Sequence, residues 1–160
     1  MENERFYLEK LAEKFPSADA ESASVKQNKL YVEIPLADLL DAARFLHDEL
    51  GFDHLCTITG LDNGEQFEFL YHLAHENGYL LTLKVKTGRD NANLPTVLPV
   101  YEGAIFYERE LEGLLGVHVE GLPEGRQYPL PDNWPAGEYP LRKDWKPKAQ
   151  REAEGGQENG

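Results

Sequence analysis

The sequence predicts an α+β fold: helices on one face of a mixed, mostly antiparallel sheet, followed by an extended proline-rich C-terminal arm. Three observations predict it. Apolar residues recur at helical spacing in three separated segments and alternate at strand spacing between them. The segments follow the order helix, two strands, helix, three strands, helix, which is not the regular alternation of a parallel α/β fold. Six of the ten prolines (positions 123, 129, 131, 135, 140 and 147) and both tryptophans fall between Val117 and Pro147.

Residues 4 to 15 read as a helix because Tyr7, Leu11 and Phe15 form a stripe at i, i+4, i+8, and Pro16 ends it. A weak strand around Ala20 to Lys26 turns at Asn28 into a second, Lys29 to Ile34, where Leu30, Val32 and Ile34 share a face. Pro35 suits the first turn of a helix reaching Leu50. Leu36, Leu39, Leu40, Ala43, Leu46 and Leu50 recur there at steps of three and four, and Gly51 provides the stop. His54 to Leu61 is a strand. Gln66 to Ala74 and Tyr79 to Lys86 form a hairpin around Glu76-Asn77-Gly78. Gly88 to Leu94 reads as a polar loop, and Ile105 to Leu115 as a third helix capped by Gly116.

The body is therefore expected to span 1–116, the arm 117–147 and a flexible, solvated tail 148–160. Each arm proline fixes φ and removes a backbone donor, so neither a helix nor a central strand persists there. Yet Val117, Val119, Tyr128, Leu130, Trp134, Tyr139, Leu141 and Trp145 are too apolar to stand in water. They pack either on the chain's own body, as a strap, or on a partner, where Trp, Tyr and Arg are the usual anchors.

With 29 acidic and 16 Lys/Arg residues the chain carries a formal charge of −13, which argues against nucleic acid and against an anionic membrane surface. No apolar run is long enough for direct membrane insertion, and Met1-Glu2-Asn3-Glu4 opens no secretory signal, so a cytoplasmic location is expected. The single cysteine, Cys56, excludes an internal disulfide and a cysteine-built zinc or iron–sulfur site.

Catalytic candidates are sparse. His54 and Cys56 share a strand face by the i, i+2 rule, but no third residue or oxyanion hole accompanies them. His72 and His75 fall on opposite strand faces, which makes them poor joint ligands, and His47 and His118 have no evident partner. Glu68 reads as a solvent-face strand residue, and the scattered glycines form no nucleotide-binding pattern. No catalytic, cofactor-binding or metal-binding residue is assigned. Two charged clusters are denser: Tyr107-Glu108-Arg109-Glu110 on the third helix, and Pro140-Leu141-Arg142-Lys143-Asp144-Trp145. The second is a locally basic stretch in an acidic chain and reads as a docking patch for an acidic surface. The partner-binding residues expected are Glu108, Arg109, Glu110, Tyr128, Trp134, Leu141, Arg142, Lys143, Asp144 and Trp145.

These clusters also carry a family pattern. Glu108-Arg109-Glu110, Leu114-Leu115-Gly116, Gly121 with Pro123, Leu130-Pro131-Asp132-Asn133-Trp134 and Pro140-Leu141-Arg142-Lys143-Asp144 follow one another without a large insertion up to Trp134. The stretch resembles the C subunit of respiratory NADH–quinone oxidoreductase (complex I) and the related subunit of membrane-bound, energy-converting hydrogenases. Gly113 stands where the respiratory pattern has an acid and Leu122 where it has histidine, and Arg126 is followed by Gln127 instead of a second arginine. The tryptophans usual before the Glu-Arg-Glu helix are replaced by Tyr101, Phe106 and Tyr107. The resemblance implies a non-catalytic structural subunit of the peripheral arm, packed on a hydrogenase-like large subunit near the iron–sulfur small subunit, at the inner face of the membrane. Iron–sulfur clusters, and a flavin or nickel–iron centre, would sit in those partner subunits and none in this chain. The alternatives are the corresponding subunit of an energy-converting nickel–iron hydrogenase and a stand-alone acidic adaptor domain.

Overall fold

The computed structural model describes residues 4–155, with residues 20–26, 154 and 155 described by their backbone alone. The elements are α1 (Glu4–Lys14), β1 (Asp19–Lys26), β2 (Lys29–Glu33), α2 (Leu39–Asp48), β3 (His54–Asp62), β4 (Gln66–Ala74), β5 (Leu80–Gly88), β6 (Asn93–Pro95), α3 (Ala104–Leu115), β7 (His118–Glu120) and α4 (Lys148–Gly155). A 3₁₀ turn at Leu36–Asp38 links β2 to α2, because Pro35 enters with extended backbone (ψ 142°).

Five strands form one sheet in the order β1-β2-β5-β4-β3. Only β2 and β5 pair in parallel; the other three neighbours are antiparallel. The predicted mixed, mostly antiparallel sheet is the one observed. Register decides which side chains meet. Tyr71 lies opposite Ile58 and Leu83, and Leu73 opposite Leu55 and Leu81. Phe67, Phe69, Tyr71 and Leu73 alternate with half-buried residues, so one sheet face is covered and the other open. The covered face joins Tyr7 and Leu11 of α1, Leu39, Ala42, Ala43 and Leu46 of α2, and Leu111 and Leu115 of α3 in a single core. Each of the larger of these side chains contributes roughly 1.5–3 kcal/mol by leaving water. The open face carries ion pairs: Lys84 to Glu68 at 2.7 Å, and Lys86 to Glu33 at 2.7 Å.

Glycines end two of the helices. Gly51 (φ 73°) closes α2 and lets the Phe52 N–H donate to the Leu46 carbonyl. Gly116 (φ 70°) closes α3 and donates to the Glu112 carbonyl. Both are left-handed positions that a side chain would strain.

Three local readings differ from the sequence-based expectation. The polar loop after Gly88 contains β6, which pairs in parallel with β7 (Leu94 opposite Val119). Val117 and Val119 are core residues, so packed structure continues past Gly116 through Glu120. Three-residue strands holding a proline or flanked by one glycine leave no alternation to read. Residues 148–155 form α4 where composition predicts a flexible tail, and residues 156–160 of that tail lie outside the described residues. Between Gly121 and Pro147 the backbone forms turns and irregular segments without helix or strand.

Candidate partner interface

The two predicted clusters converge on α3, but most of their polar atoms face inward. Glu108 is 1 % exposed. Its carboxylate accepts the Thr96 hydroxyl at 2.6 Å and the Val97 N–H at 2.7 Å. Burial raises its pKa, against those two hydrogen bonds, which lower it. Glu108 therefore fastens α3 to the segment after β6 and is out of a partner's reach, contrary to the expectation from its charged cluster. A single acidic residue on an amphipathic helix gives no sequence sign of its inward turn.

Arg109 donates to the carbonyls of Pro123, Glu124 and Arg126, at 3.0, 3.3 and 3.2 Å. It holds the first loop of the proline-rich segment onto α3, with Gly125 so close to the guanidinium that a Cβ would overlap it. The Tyr128 carbonyl lies 2.9 Å from where a Gly113 Cβ would stand, so this glycine admits the chain across the helix. Tyr128 is exposed and meets Phe106 edge to face, ring centroids 5.7 Å apart.

Trp134 and Trp145 lie 5.9 Å apart and are organised by Glu138. Trp134 Nε1 donates to the Glu138 carbonyl at 2.8 Å, Trp145 Nε1 to its carboxylate at 3.1 Å, and Arg151 of α4 to the other carboxylate oxygen at 2.8 Å. The Arg151 and Trp145 hydrogen bonds hold the Glu138 carboxyl below the ordinary range.

Arg142 also turns inward. Its Nε donates to the Leu115 carbonyl at 2.6 Å, and its guanidinium sits over the rings of Phe67 (5.2 Å) and Tyr139 (4.8 Å). A cation at the C-terminus of α3 satisfies a carbonyl that the helix leaves open and complements its dipole. The Leu141 N–H donates to the Leu114 carbonyl at 3.0 Å, while its side chain remains 51 % exposed. Lys143 points its side chain to solvent, and its backbone N–H donates to Asp62 at 2.9 Å.

Asp62 and Arg89 complete this clasp. The Asp62 side chain is fully buried and accepts from Lys143 N–H, Gly64 N–H and Arg89, each at 2.9 Å. Burial pushes its pKa up. The two backbone N–H groups and the Arg89 guanidinium outweigh that and hold the carboxyl below the usual range. The same Arg89 nitrogen reaches Asp144 at 2.6 Å. Neither Asp62 nor Arg89 stands out in the sequence; an acid ending a strand of otherwise apolar alternation is the only signal.

The catalytic candidates separate. A register shift between Leu55 and Thr57 makes Cys56 a bulge residue, so the two-residue periodicity linking it to His54 does not hold. The Cys56 carbonyl accepts the Tyr107 hydroxyl at 2.9 Å. His72 lies half-buried between the hydroxyls of Thr59 (3.2 Å) and Thr82 (3.0 Å), and burial lowers its pKa. His75 faces the other way, onto the rings of Tyr7 and Phe52. Glu68 forms part of the ion-paired open sheet face. Among the described residues no three His, Cys, Asp or Glu side chains form a metal-holding group. No described helix is long and apolar enough to cross a membrane.

The sequence of residues 32–151 matches the family described as respiratory-chain NADH dehydrogenase, 30 Kd subunit. The chain belongs to this family. It is 33% identical over 144 residues to the C subunit of the F(420)H(2) dehydrogenase of Methanosarcina mazei, covering 88% of this chain and 90% of that one. It is 31% identical over 150 residues to the C/D subunit of the NADH-quinone oxidoreductase of Acinetobacter baumannii, a match spanning 91% of this chain but 24% of the longer relative. A solved chain of the membrane-bound sulfane sulfur reductase, an archaeal respiratory membrane complex, superposes with a TM-score of 0.82 at 27% identity, covering 96% of this chain and 91% of that one. The family suggested by the Glu-Arg-Glu and Pro-Leu-Arg-Lys-Asp motifs is thus the one found. The similar chains come from complexes named for F(420)H(2), for NADH and quinone, and for sulfane sulfur.

Proposed function

We propose that this chain is a non-catalytic structural subunit of the peripheral arm of a complex I-like oxidoreductase, seated on the hydrogenase-like large subunit beside the iron–sulfur small subunit. The observation that carries this reading is the Acinetobacter relative, in which the matching region is about a quarter of a longer chain, the C/D subunit. Covalent fusion keeps two units at high effective concentration, as expected of units that work in contact. The side-chain inventory agrees. Arg109, Arg142 and Asp62 hold this chain's own backbone, and Arg89 bridges the carboxylates of Asp62 and Asp144, which leaves the surface for packing. Iron–sulfur clusters and a flavin or nickel–iron centre belong to the partner subunits in this reading, and the complex is peripheral to the inner, cytoplasmic face of the membrane.

The hydrogenase-branch alternative draws on the archaeal relatives, whose complexes are named for F(420)H(2) and for sulfane sulfur rather than for NADH. Co-expression with the same genome's homologue of the rest of the C/D chain, outside the matching region, tests the main reading. A stoichiometric complex, with iron and flavin absent from this chain when isolated, is the expected result. Failure of the two chains to co-purify, or iron stoichiometric with the isolated chain, overturns it and favours the stand-alone adaptor.

A further inference from the structure

Three of the large apolar side chains left exposed among the described residues gather along the outer row of α3. Phe106, Glu110 and Leu114 follow one another at i, i+4 and i+8, neighbours about 6 Å apart on a helix surface. Tyr128 stands beside the first, and Phe106 is itself 61 % exposed. Leu141 stands beside the last. It lines the cleft between α3 and the edge strand β3 together with Glu110 and Leu114.

Glu110 sits in the middle of this row. The other charged side chains of α3 are engaged: Glu108 with Thr96 and Val97, Arg109 with the 123–126 carbonyls, and Glu112 with the Val119 N–H at 3.0 Å. Glu110 has no ion-pair or hydrogen-bond partner among the described residues. A half-buried carboxylate between two apolar ends is a poor surface to cover with another apolar face, because desolvating it uncompensated is costly. It is a good surface for a partner that presents a guanidinium or ammonium between two apolar hollows.

We propose that the row Phe106–Glu110–Leu114, with Tyr128 and Leu141 at its ends, is the face by which this chain docks on the large subunit, and that the large subunit meets Glu110 with a basic side chain. This rests on the subunit reading above and adds to it the face and the charge that the partner must carry. The arm then contributes Tyr128 and Leu141 to this face and covers the flank of α3 at Gly113, while Arg142 and the Lys143 N–H bind the body.

The test uses this chain co-expressed with the large chain, the same genome's homologue of the rest of the C/D chain. Phe106 or Leu141 is replaced by the photo-crosslinker p-benzoylphenylalanine, with Leu80, exposed at the start of β5, as the control position. Crosslinks to the large chain are expected from 106 and 141 and not from 80. Glu110→Arg is expected to lower the yield of complex by roughly tenfold or more while leaving the thermal midpoint of the free chain unchanged. If the chains co-purify but 106 and 141 give no crosslink to the large chain, the proposed face is wrong and the subunit reading stands. Crosslinks from these positions to a second copy of this chain overturn the proposed occupant. An undiminished yield with Glu110→Arg overturns the charge assignment. Absence of any co-purification overturns both readings.

Discussion

Asp62 and Glu108 are two buried carboxylates with opposite pH behaviour. Asp62 is held below its ordinary value of 3.8, so its folded form favours ionisation. The stability it contributes is present above that value and is lost as pH falls through the folded pKa. Glu108 is raised above its ordinary 4.5, so its contribution is fully present below that value and is lost as pH rises through the folded pKa. Urea midpoints followed from about pH 3 to pH 7 separate them. Asp62→Asn should be less stable than wild type at neutral pH, with the gap closing below about pH 4. Glu108→Gln keeps the shape, and its stability relative to wild type should rise with pH. A gap independent of pH in either variant would remove that group's linkage. Arg142 acts through hydrogen bonds and ring faces together. Arg142→Ala should cost about 1.5–3 kcal/mol in urea unfolding, and Arg142→Lys should recover little, because an ammonium lacks the planar fork.

At the scale of elements, α3 is the hinge of the architecture. It meets β3 at Gly60, where a Cβ would lie 2.6 Å from methyl groups of both Leu111 and Leu115. The helix therefore packs on strand backbone, closer than any side chain permits. Gly60→Val should destabilise the chain by about 1–3 kcal/mol through overpacking. Gly88→Ala, where a Cβ meets nothing within 4 Å, should be near neutral. Equal effects of the two in a melting experiment would mean that α3 is not seated so closely. At the other end of α3 the left-handed Gly116 lies so near the Tyr139 ring that a Cβ would overlap it. The helix terminus and the proline-rich segment are thus built as one piece.

For the whole molecule, the segment after Glu120 is bound to the body in two regions: its first loop by Arg109, and residues 141–144 by the end of α3, Asp62 and Arg89. Removing residues 121–160 leaves every strand and the first three helices in place. The truncated chain should keep its far-ultraviolet circular dichroism and lose stability, because Asp62 and the end of α3 lose donors. It should fail to co-purify with the large chain. Wild-type assembly by the truncated chain would show that the segment does not contribute to docking. The net charge of −13 does not describe this region, since Lys143, Lys146 and Lys148 all stand exposed near its end.

Periodicity made the body legible. The alternation of Gln66 to Ala74 named both the strand and its buried face, and the stripe Tyr7, Leu11 placed α1 correctly. The short ribbon β6–β7 was not legible, because three residues carry no period. Neither was α4, whose polar residues read as solvated chain. The family motifs were legible as a pattern, but not the direction in which their side chains point. By itself the sequence determined the three longer helices and the five strands of the main sheet, its mixed pairing, the family and the absence of a cysteine ligand set, because these follow from local pattern and composition. Only the tertiary structure decided that Glu108 and Arg142 face inward, that Asp62 and Arg89 close the clasp, and that Phe106, Tyr128 and Leu141 are left outside. Those outcomes depend on pairing residues as far apart as Asp62 and Lys143, a choice made by packing and hydrogen-bond satisfaction across the fold and written in no local spacing.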